Sequence, residues 1–129
     1  MARRSQPDPL ATKIGARVRL LRKAAGLTLE GLAFSCDFSK GQLSTIEKGL
    51  AVPTAATLVT LAEGLEVLPL DLLTFPDEGL REELIDLTRA SSTREIMALL
   101  ARLRRGREAH PETDATRSSS TRRDGRTVS

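Results

Sequence analysis

The sequence is poor in aromatic residues, cysteine and histidine, and each shortage excludes a class of protein. Its 129 residues include three Phe and neither Trp nor Tyr. A core must therefore come from aliphatic side chains, which suits packed helices better than a sheet. Cys36 has no second cysteine to pair with, and a single histidine cannot complete a zinc site with it. We expect no disulfide, no metal and no other cofactor.

Long apolar runs and catalytic motifs are lacking too. No stretch approaches the roughly 18 apolar residues of a membrane span. The basic start MARRSQPDPL is not followed by the apolar segment of a secretory signal. The sequence contains no Gly-rich phosphate loop, no Ser–His–Asp set and no pair of carboxylates in an apolar setting. We therefore expect a protein that is not an enzyme, has no membrane partner, and resides in the cytoplasm.

Charge is distributed unevenly along the chain. Residues 1–23 hold seven basic residues and one acidic residue, and residues 24–101 hold five basic and twelve acidic residues. Residues 102–129 hold eight Arg and four acidic residues. The acidic middle disfavours a polycation that coats any nucleic acid. The basic ends around it indicate positive charge placed at chosen contact points.

Five short helices are predicted between residues 10 and 75, after a flexible basic arm over residues 1–9. Ile14, Val18 and Leu21 recur at helical spacing and form the apolar stripe of the first helix. The later helices are predicted to begin at capping residues or prolines, namely Thr28, Ser39, Pro53-Thr54 and Pro69. The predicted fold class is therefore all-α.

The segment from Thr28 to Gly49 is typical of two short helices joined by a tight turn at Asp37. Leu43 and Ile46 give the second of these helices a buried side. A helix that enters the major groove needs such a side, together with outward residues for base edges and donors for phosphates. The candidate base contacts are Lys40, Gly41, Gln42, Ser44 and Thr45. The candidate phosphate contacts are Arg17, Arg22, Lys23, Thr28, Ser39 and Lys48.

Residues 77–106 differ in character from the domain before them. Two amphipathic helices, over residues 77–90 and 93–106, are predicted from aliphatic residues at helical spacing, namely Leu80, Leu84, Leu87, Ile96, Leu99 and Leu103. These residues either pack on the domain as extra core or pair with a second copy, and we favour a homodimer. Residues 107–129 are rich in Arg, Ser and Thr, and we expect them to be disordered.

Apolar, small and capping residues follow one another in a characteristic order through the five predicted helices. They are Ile14-Gly15, Val18, Leu21-Arg22, Gly26-Leu27-Thr28, Leu32-Ala33, Ser39, Leu43-Ser44, Ile46-Glu47, Gly49, Pro53, Thr57-Leu58, Leu61-Ala62 and Leu65. This order resembles that of the phage-repressor, or XRE-type, helix-turn-helix family of transcription regulators. The resemblance implies a five-helix, lambda-repressor-like DNA-binding domain over residues 10–75.

The same resemblance implies roles for individual residues. The recognition helix would span residues 39–48, and Arg22 would pair with Glu47 beneath it. Double-stranded DNA would be the partner, bound by a dimer at two half-sites roughly 34 Å apart, and the protein would be associated with the nucleoid. Family members often carry Gln at the position of Leu29 and Gly at that of Asp37. We expect Asp37 to adopt the left-handed backbone conformation there, because Asp tolerates it better than most residues.

Two other functions are compatible with these patterns. An antitoxin would bind its own operator and cover a toxin with residues 77–106. A protein-interaction module would bind DNA weakly and hold a protein partner through the same residues. Co-purification with a small partner protein favours the antitoxin, and absent or salt-insensitive DNA binding favours the interaction module.

Overall fold

A computed structural model describes residues 6–109, and in this part of the chain all regular structure is helical. The all-α fold predicted from the sequence is therefore confirmed. The helices are α1 (Pro9–Ala24), α2 (Leu29–Ser35), α3 (Lys40–Glu47), α4 (Ala55–Leu65), α5 (Pro69–Leu72), α6 (Leu80–Arg89) and α7 (Thr93–Ala109), with a 3-10 turn at Pro76–Glu78 between α5 and α6.

Polar side chains decide where α2 and α3 begin. The hydroxyl of Thr28 accepts a hydrogen bond from the Gly31 N–H at 3.0 Å, and that of Ser39 accepts from the Gln42 N–H at 3.0 Å. Each bond satisfies a backbone donor that the first helical turn leaves without a partner. Asp37 lies between the two helices with φ +56°, as its place in the turn predicts. The helix starts and the turn predicted for this segment are confirmed.

The start of α1 differs from the expected flexible arm over residues 1–9. The carboxylate of Asp8 accepts hydrogen bonds from the N–H groups of Leu10 and Ala11, and Pro9 is the first helical residue. An aspartate N-cap followed by proline is a favoured helix start, because proline has no N–H that needs a partner. Residues 8 and 9 therefore belong to the folded domain, whereas residues 1–5 lie outside the described part.

The core lies where the first five helices meet. Its side chains are almost all aliphatic, as the shortage of aromatic residues requires, and the most deeply buried are Val18, Leu32, Leu43, Ile46, Leu61 and Leu72. Phe38, which follows the turn, is half-buried and packs against this cluster. Leu43 and Ile46 tie α3 into the core, so the orientation of that helix is set by apolar contacts.

Gly15 allows α1 to approach the backbone of α3 closely. A Cβ atom at this position would meet the carbonyl oxygen of Ile46, and would lie 2.7 Å from the carbonyl oxygen of Glu47. Both of these obstacles are backbone atoms at the end of α3, and they cannot rotate away as a side chain would. Glycine at position 15 is therefore a steric requirement of the contact between α1 and α3.

The chain divides into two compact units after Ala90. Helix α6 belongs to the first unit and α7 to the second. The segment predicted over residues 77–106 is therefore divided between the two units. Helix α7 continues to Ala109, past the predicted end at residue 106, so residues 107–109 are helical instead of disordered. The rest of the tail predicted to be disordered lies outside the described residues. No helix in the described range 6–109 is long and apolar enough to cross a membrane.

Substituting Gly15 with Ala should destabilise the protein through the contact just described. The new methyl group would force α1 and α3 apart, and overpacking of this kind costs about 1–3 kcal/mol. Urea unfolding followed by circular dichroism measures the change in free energy. Gly106→Ala is the matched control, because nothing lies within 4 Å of a Cβ atom added there. Equal stability of G15A and the wild-type protein would contradict the steric argument.

Candidate nucleic-acid interface

Helix α3 is buried along one side and exposed along the other. Leu43 and Ile46 have no exposed surface. Helical spacing places Gly41, Ser44 and Lys48 on the opposite side, because they lie roughly half a turn away from the buried pair. A helix held in this way can offer its outer side to a partner without losing its position.

An ion pair between Arg22 and Glu47 holds the end of α3 from beneath. The Nε–H of Arg22 donates to Glu47 Oε1 at 2.8 Å, and Nη2 lies 3.5 Å from Oε2. The third nitrogen, Nη1, donates to the carbonyl oxygen of Leu27 at 2.9 Å. The side chains of Arg22 and Glu47 are only 11% and 8% exposed. Arg22 thus joins α1, the connection before α2 and the end of α3, and the pair implied by the family resemblance is present.

The five candidate base contacts all lie on α3, with different exposure. Lys40, Gly41 and Gln42 are exposed, whereas Ser44 and Thr45 are half-buried. The side-chain oxygen of Gln42 accepts a hydrogen bond from the Ser39 N–H at 2.9 Å, which leaves its NH₂ group to donate. The hydroxyl of Thr45 donates to the Gly41 carbonyl oxygen at 2.8 Å, so it keeps acceptor capacity only.

Lys40 is paired with an acidic residue that the sequence patterns did not single out as part of the site. Its ammonium group lies 2.8 Å from the carboxylate of Glu30 in the first turn of α2. The hydrogen bond and charge of Lys40 lower the pKa of Glu30 below its ordinary value. The two residues are ten positions apart and lie on different helices, so no periodic pattern in the sequence connects them. Glu30 places negative charge beside the exposed side of α3.

The candidate phosphate contacts separate into exposed and enclosed residues. Lys23, Thr28, Ser39 and Lys48 are exposed. The hydroxyls of Thr28 and Ser39 are already engaged as helix caps, and each of these two residues marks a helix N-terminus, where backbone N–H groups favour anions. Arg22 is enclosed by its pair with Glu47. Lys23 and Lys48 are therefore the exposed basic residues of this candidate set.

Arg17 is placed in the interior and not at the DNA-facing surface, which corrects its assignment as a phosphate contact. It is 5% exposed. Its Nε–H donates to the carbonyl oxygen of Asp71 at 2.8 Å, and its Nη2 donates to the carboxylate of Asp86 at 2.6 Å. The guanidinium group is therefore turned toward α5 and α6. Asp71 and Asp86, 54 and 69 residues further along the chain, were not expected from the sequence to be its partners.

The six aliphatic residues proposed for dimerisation lie on α6 and α7. On α6, Leu80, Leu84 and Leu87 are 84%, 42% and 62% exposed, so they do not pack on the first unit as extra core. On α7, Ile96 and Leu103 are exposed and Leu99 is half-buried. Each helix, considered by itself, thus exposes apolar side chains at its surface.

Comparisons with known proteins agree with this geometry. The family model of a helix-turn-helix domain matches residues 13–75. The uncharacterized HTH-type transcriptional regulator y4dJ of Sinorhizobium fredii is 38% identical over 65 residues, which cover 50% of this chain and 84% of that protein. The chain therefore belongs to the helix-turn-helix family of DNA-binding transcriptional regulators.

Solved structures of regulators have a similar fold. The clp gene regulator ClgR from C. glutamicum is 30% identical, with a TM-score of 0.50, and the match covers 51% of this chain and 86% of that one. The hypothetical transcription factor NHTF from Neisseria is 25% identical, with a TM-score of 0.53, over 63% of this chain and 93% of its own. The match to nearly all of NHTF supports the helical fold described above.

Glu30→Gln should raise the affinity of the protein for DNA of any sequence. The substitution frees Lys40 from its partner and removes a negative charge that repels phosphates. We expect about threefold to tenfold tighter binding to unrelated duplex DNA at low salt. The affinity should also fall more steeply with salt concentration, by the amount expected for about one additional phosphate contact. Fluorescence anisotropy titrations at several salt concentrations measure both quantities. Glu63→Gln, which changes an exposed acidic residue on α4, is the control; an equal gain in both variants would show a general effect of net charge.

Proposed function

We propose that the protein regulates transcription by binding a specific DNA site as a dimer, with the recognition helix over residues 39–48 in the major groove. The observation that supports this proposal most strongly is the way α3 is held in the fold. Its inner side is buried through Leu43 and Ile46, its end is held by the Arg22–Glu47 pair, and its outer side is exposed. A helix held so firmly can align side chains with base edges at little entropic cost.

Short side chains on the outer side of α3 suit direct contact with bases. Gly41 leaves room for close approach to a base or a thymine methyl group. Ser44 and Thr45 present hydroxyls, and the NH₂ group of Gln42 offers donors to acceptors in the groove. Lys40 would exchange Glu30 for a base or phosphate when DNA binds. These five residues are the proposed base-reading set.

Register on the DNA would come from phosphate contacts at both sides of α3. Lys23 and Lys48 supply exposed ammonium groups, and Thr28 and Ser39 begin helices whose N–H groups favour anions. The charge of Arg22 is balanced by Glu47, so Arg22 would add little positive potential at this surface even where it lies near a phosphate. We propose no phosphate contact for Arg17, which is bonded within the protein.

Dimerisation would cover the exposed leucines of α6 and the apolar face of α7. Leaving these side chains in water has a free-energy cost that pairing with a second copy removes. A dimer also suits an operator with two half-sites about one helical turn apart. A separate protein partner for residues 77–106, as in an antitoxin or an interaction module, is the rival proposal for the same faces.

Selection of binding sites from random duplex DNA tests the proposed function most directly. We expect an enriched inverted repeat whose half-sites lie about one helical turn apart. Titration of the winning sequence against a scrambled version at physiological salt then measures specificity. Equal binding to both would contradict a sequence-specific regulator and favour the interaction module.

Ser44→Ala and Lys48→Gln should affect DNA binding in different ways. Loss of a base contact at Ser44 should cost about 1–3 kcal/mol on the selected site and little on scrambled DNA. Loss of a phosphate contact at Lys48 should weaken binding to both DNAs alike and reduce the salt dependence by about one contact. Competition titrations with the two DNAs separate these effects. A uniform loss for both variants would show that the roles are wrongly assigned.

Leu84→Asp combined with Leu99→Asp should convert the dimer to a monomer. The new charges would lie in the apolar faces proposed to pair, where burial of an unpaired carboxylate is strongly unfavourable. Sedimentation velocity gives the mass of each species. Leu20→Asp on α1 is the control, because Leu20 is 52% exposed and lies outside these two helices. An unchanged mass of the double variant would rule out this mode of pairing.

A further inference from the structure

Arg17 and Asp86 form a directional bond between the DNA-binding helices and α6. The side chain of Arg17 is 4% exposed and that of Asp86 is 26% exposed, and the two groups are 2.6 Å apart. Arg17 and, more weakly, Arg89 lower the pKa of Asp86, so its carboxylate is ionised near neutral pH. Because Arg17 also donates to the carbonyl oxygen of Asp71, its guanidinium is held at two points, on α5 and on α6.

The same stretch of α1 contacts α3. Gly15, two residues before Arg17, lies against the carbonyl oxygens of Ile46 and Glu47 at the end of the recognition helix. Two residues of α-helix span only about 3 Å, so the contact to α3 and the bond to α6 are made by one rigid segment. A movement of α6 relative to α3 therefore requires the Arg17–Asp86 bond to bend or break.

Asp86 lies on α6 between two of the exposed leucines. Leu84 and Leu87 flank it in sequence, and helical geometry turns them toward another side of α6. The inner side of α6 thus holds the bond to α1, whereas the outer side holds the leucines proposed to pair with a second copy. Helix α6 therefore connects the segment of α1 that holds the recognition helix to the proposed dimer contact.

We infer that the Arg17–Asp86 pair determines which separation of the two DNA half-sites the dimer accepts. The inference rests on the proposed function, since it requires a dimer that binds two half-sites. Each base pair inserted between half-sites shifts one of them by about 3.4 Å and turns it by about 35° around the DNA axis. A dimer whose α6 helices are rigidly joined to the recognition helices cannot follow that change, whereas a loosely joined dimer can.

The chemistry of the pair favours this role over a contribution to stability alone. A buried ion pair is often no more stabilising than apolar residues of similar size, because both charges lose their hydration. It does impose a direction, since the guanidinium must meet the carboxylate and the Asp71 carbonyl together. Apolar side chains at these two positions would fix the orientation of α6 less closely, because their contacts have no preferred direction.

A series of operators tests the inference directly. The selected inverted repeat is prepared with its natural spacing and with one, two or three base pairs added, together with a single half-site. Affinities are measured for the wild-type protein, for Asp86→Ala and for Asp77→Ala, which removes an exposed acidic residue outside the ion pair. Sedimentation and circular dichroism establish the mass and helicity of each protein.

The wild-type protein and Asp77→Ala should lose about tenfold or more in affinity when one base pair is added. Asp86→Ala should lose less than about threefold over the same change, with unchanged mass and unchanged affinity for the single half-site. Arg17 and Asp86 are positioning residues, and a purely structural role would lower all affinities without changing the preference for spacing. A folded, dimeric Asp86→Ala protein with the wild-type spacing preference would overturn the inference.

If Asp86→Ala does not fold, a second variant tests the same inference about half-site spacing. Arg17→Met combined with Asp86→Leu removes both charges of the buried pair together. Arg89, which also lies 3.4 Å from Asp86, is 25% exposed and can turn toward water, so folding should be retained while the directional bonds are lost. It too should tolerate added base pairs, and a wild-type preference here would overturn the inference. A wild-type dimer that binds every spacing equally would also overturn it, but would leave the proposed function intact. A wild-type monomer, or one without sequence preference, would instead contradict the proposed function itself.

Discussion

Close packing of α1 on the backbone of α3 at Gly15 is the contact on which the rest of the structure depends. Because residue 15 has no side chain, α1 reaches the carbonyl oxygens at the end of α3. Leu43 and Ile46 then fill the core beneath the helix, and Arg22 holds Glu47 from the side of α1. The position of α3 is therefore set before DNA is present, and its outer side is left to solvent.

Ion pairs within the protein decide how much positive charge is available to DNA. Arg17 and Arg22 are both bonded to carboxylates inside the fold, and Lys40 lies against Glu30. Lys23 in the last turn of α1 and Lys48 at the end of α3 are the exposed lysines proposed to meet phosphates. Because nonspecific attraction grows with the number of such contacts, affinity in this arrangement depends more heavily on base contacts.

Helix α6 makes an internal bond on one side and exposes apolar side chains on the other. Its inner side bonds to the DNA-binding helices through Asp86, and its outer side exposes Leu80, Leu84 and Leu87. Exposed leucines of this kind favour association, and a rigid inner bond transmits the geometry of that association to α3. The proposed dimer and the proposed selection of half-site spacing are therefore two consequences of how one helix is attached.

The sequence by itself determined the features that depend on neighbouring residues. The caps at Thr28 and Ser39 and the turn at Asp37 act on backbone atoms a few residues away, and the spacing of Leu43 and Ile46 defined the buried side of α3. Even the Arg22–Glu47 pair was implied by the family pattern. Only the tertiary structure decided that Arg17 is buried, that Lys40 meets Glu30 and that α6 joins the first unit. Each of these depends on which distant segments the packing of helices brings within about 3 Å of each other, and no local pattern encodes that.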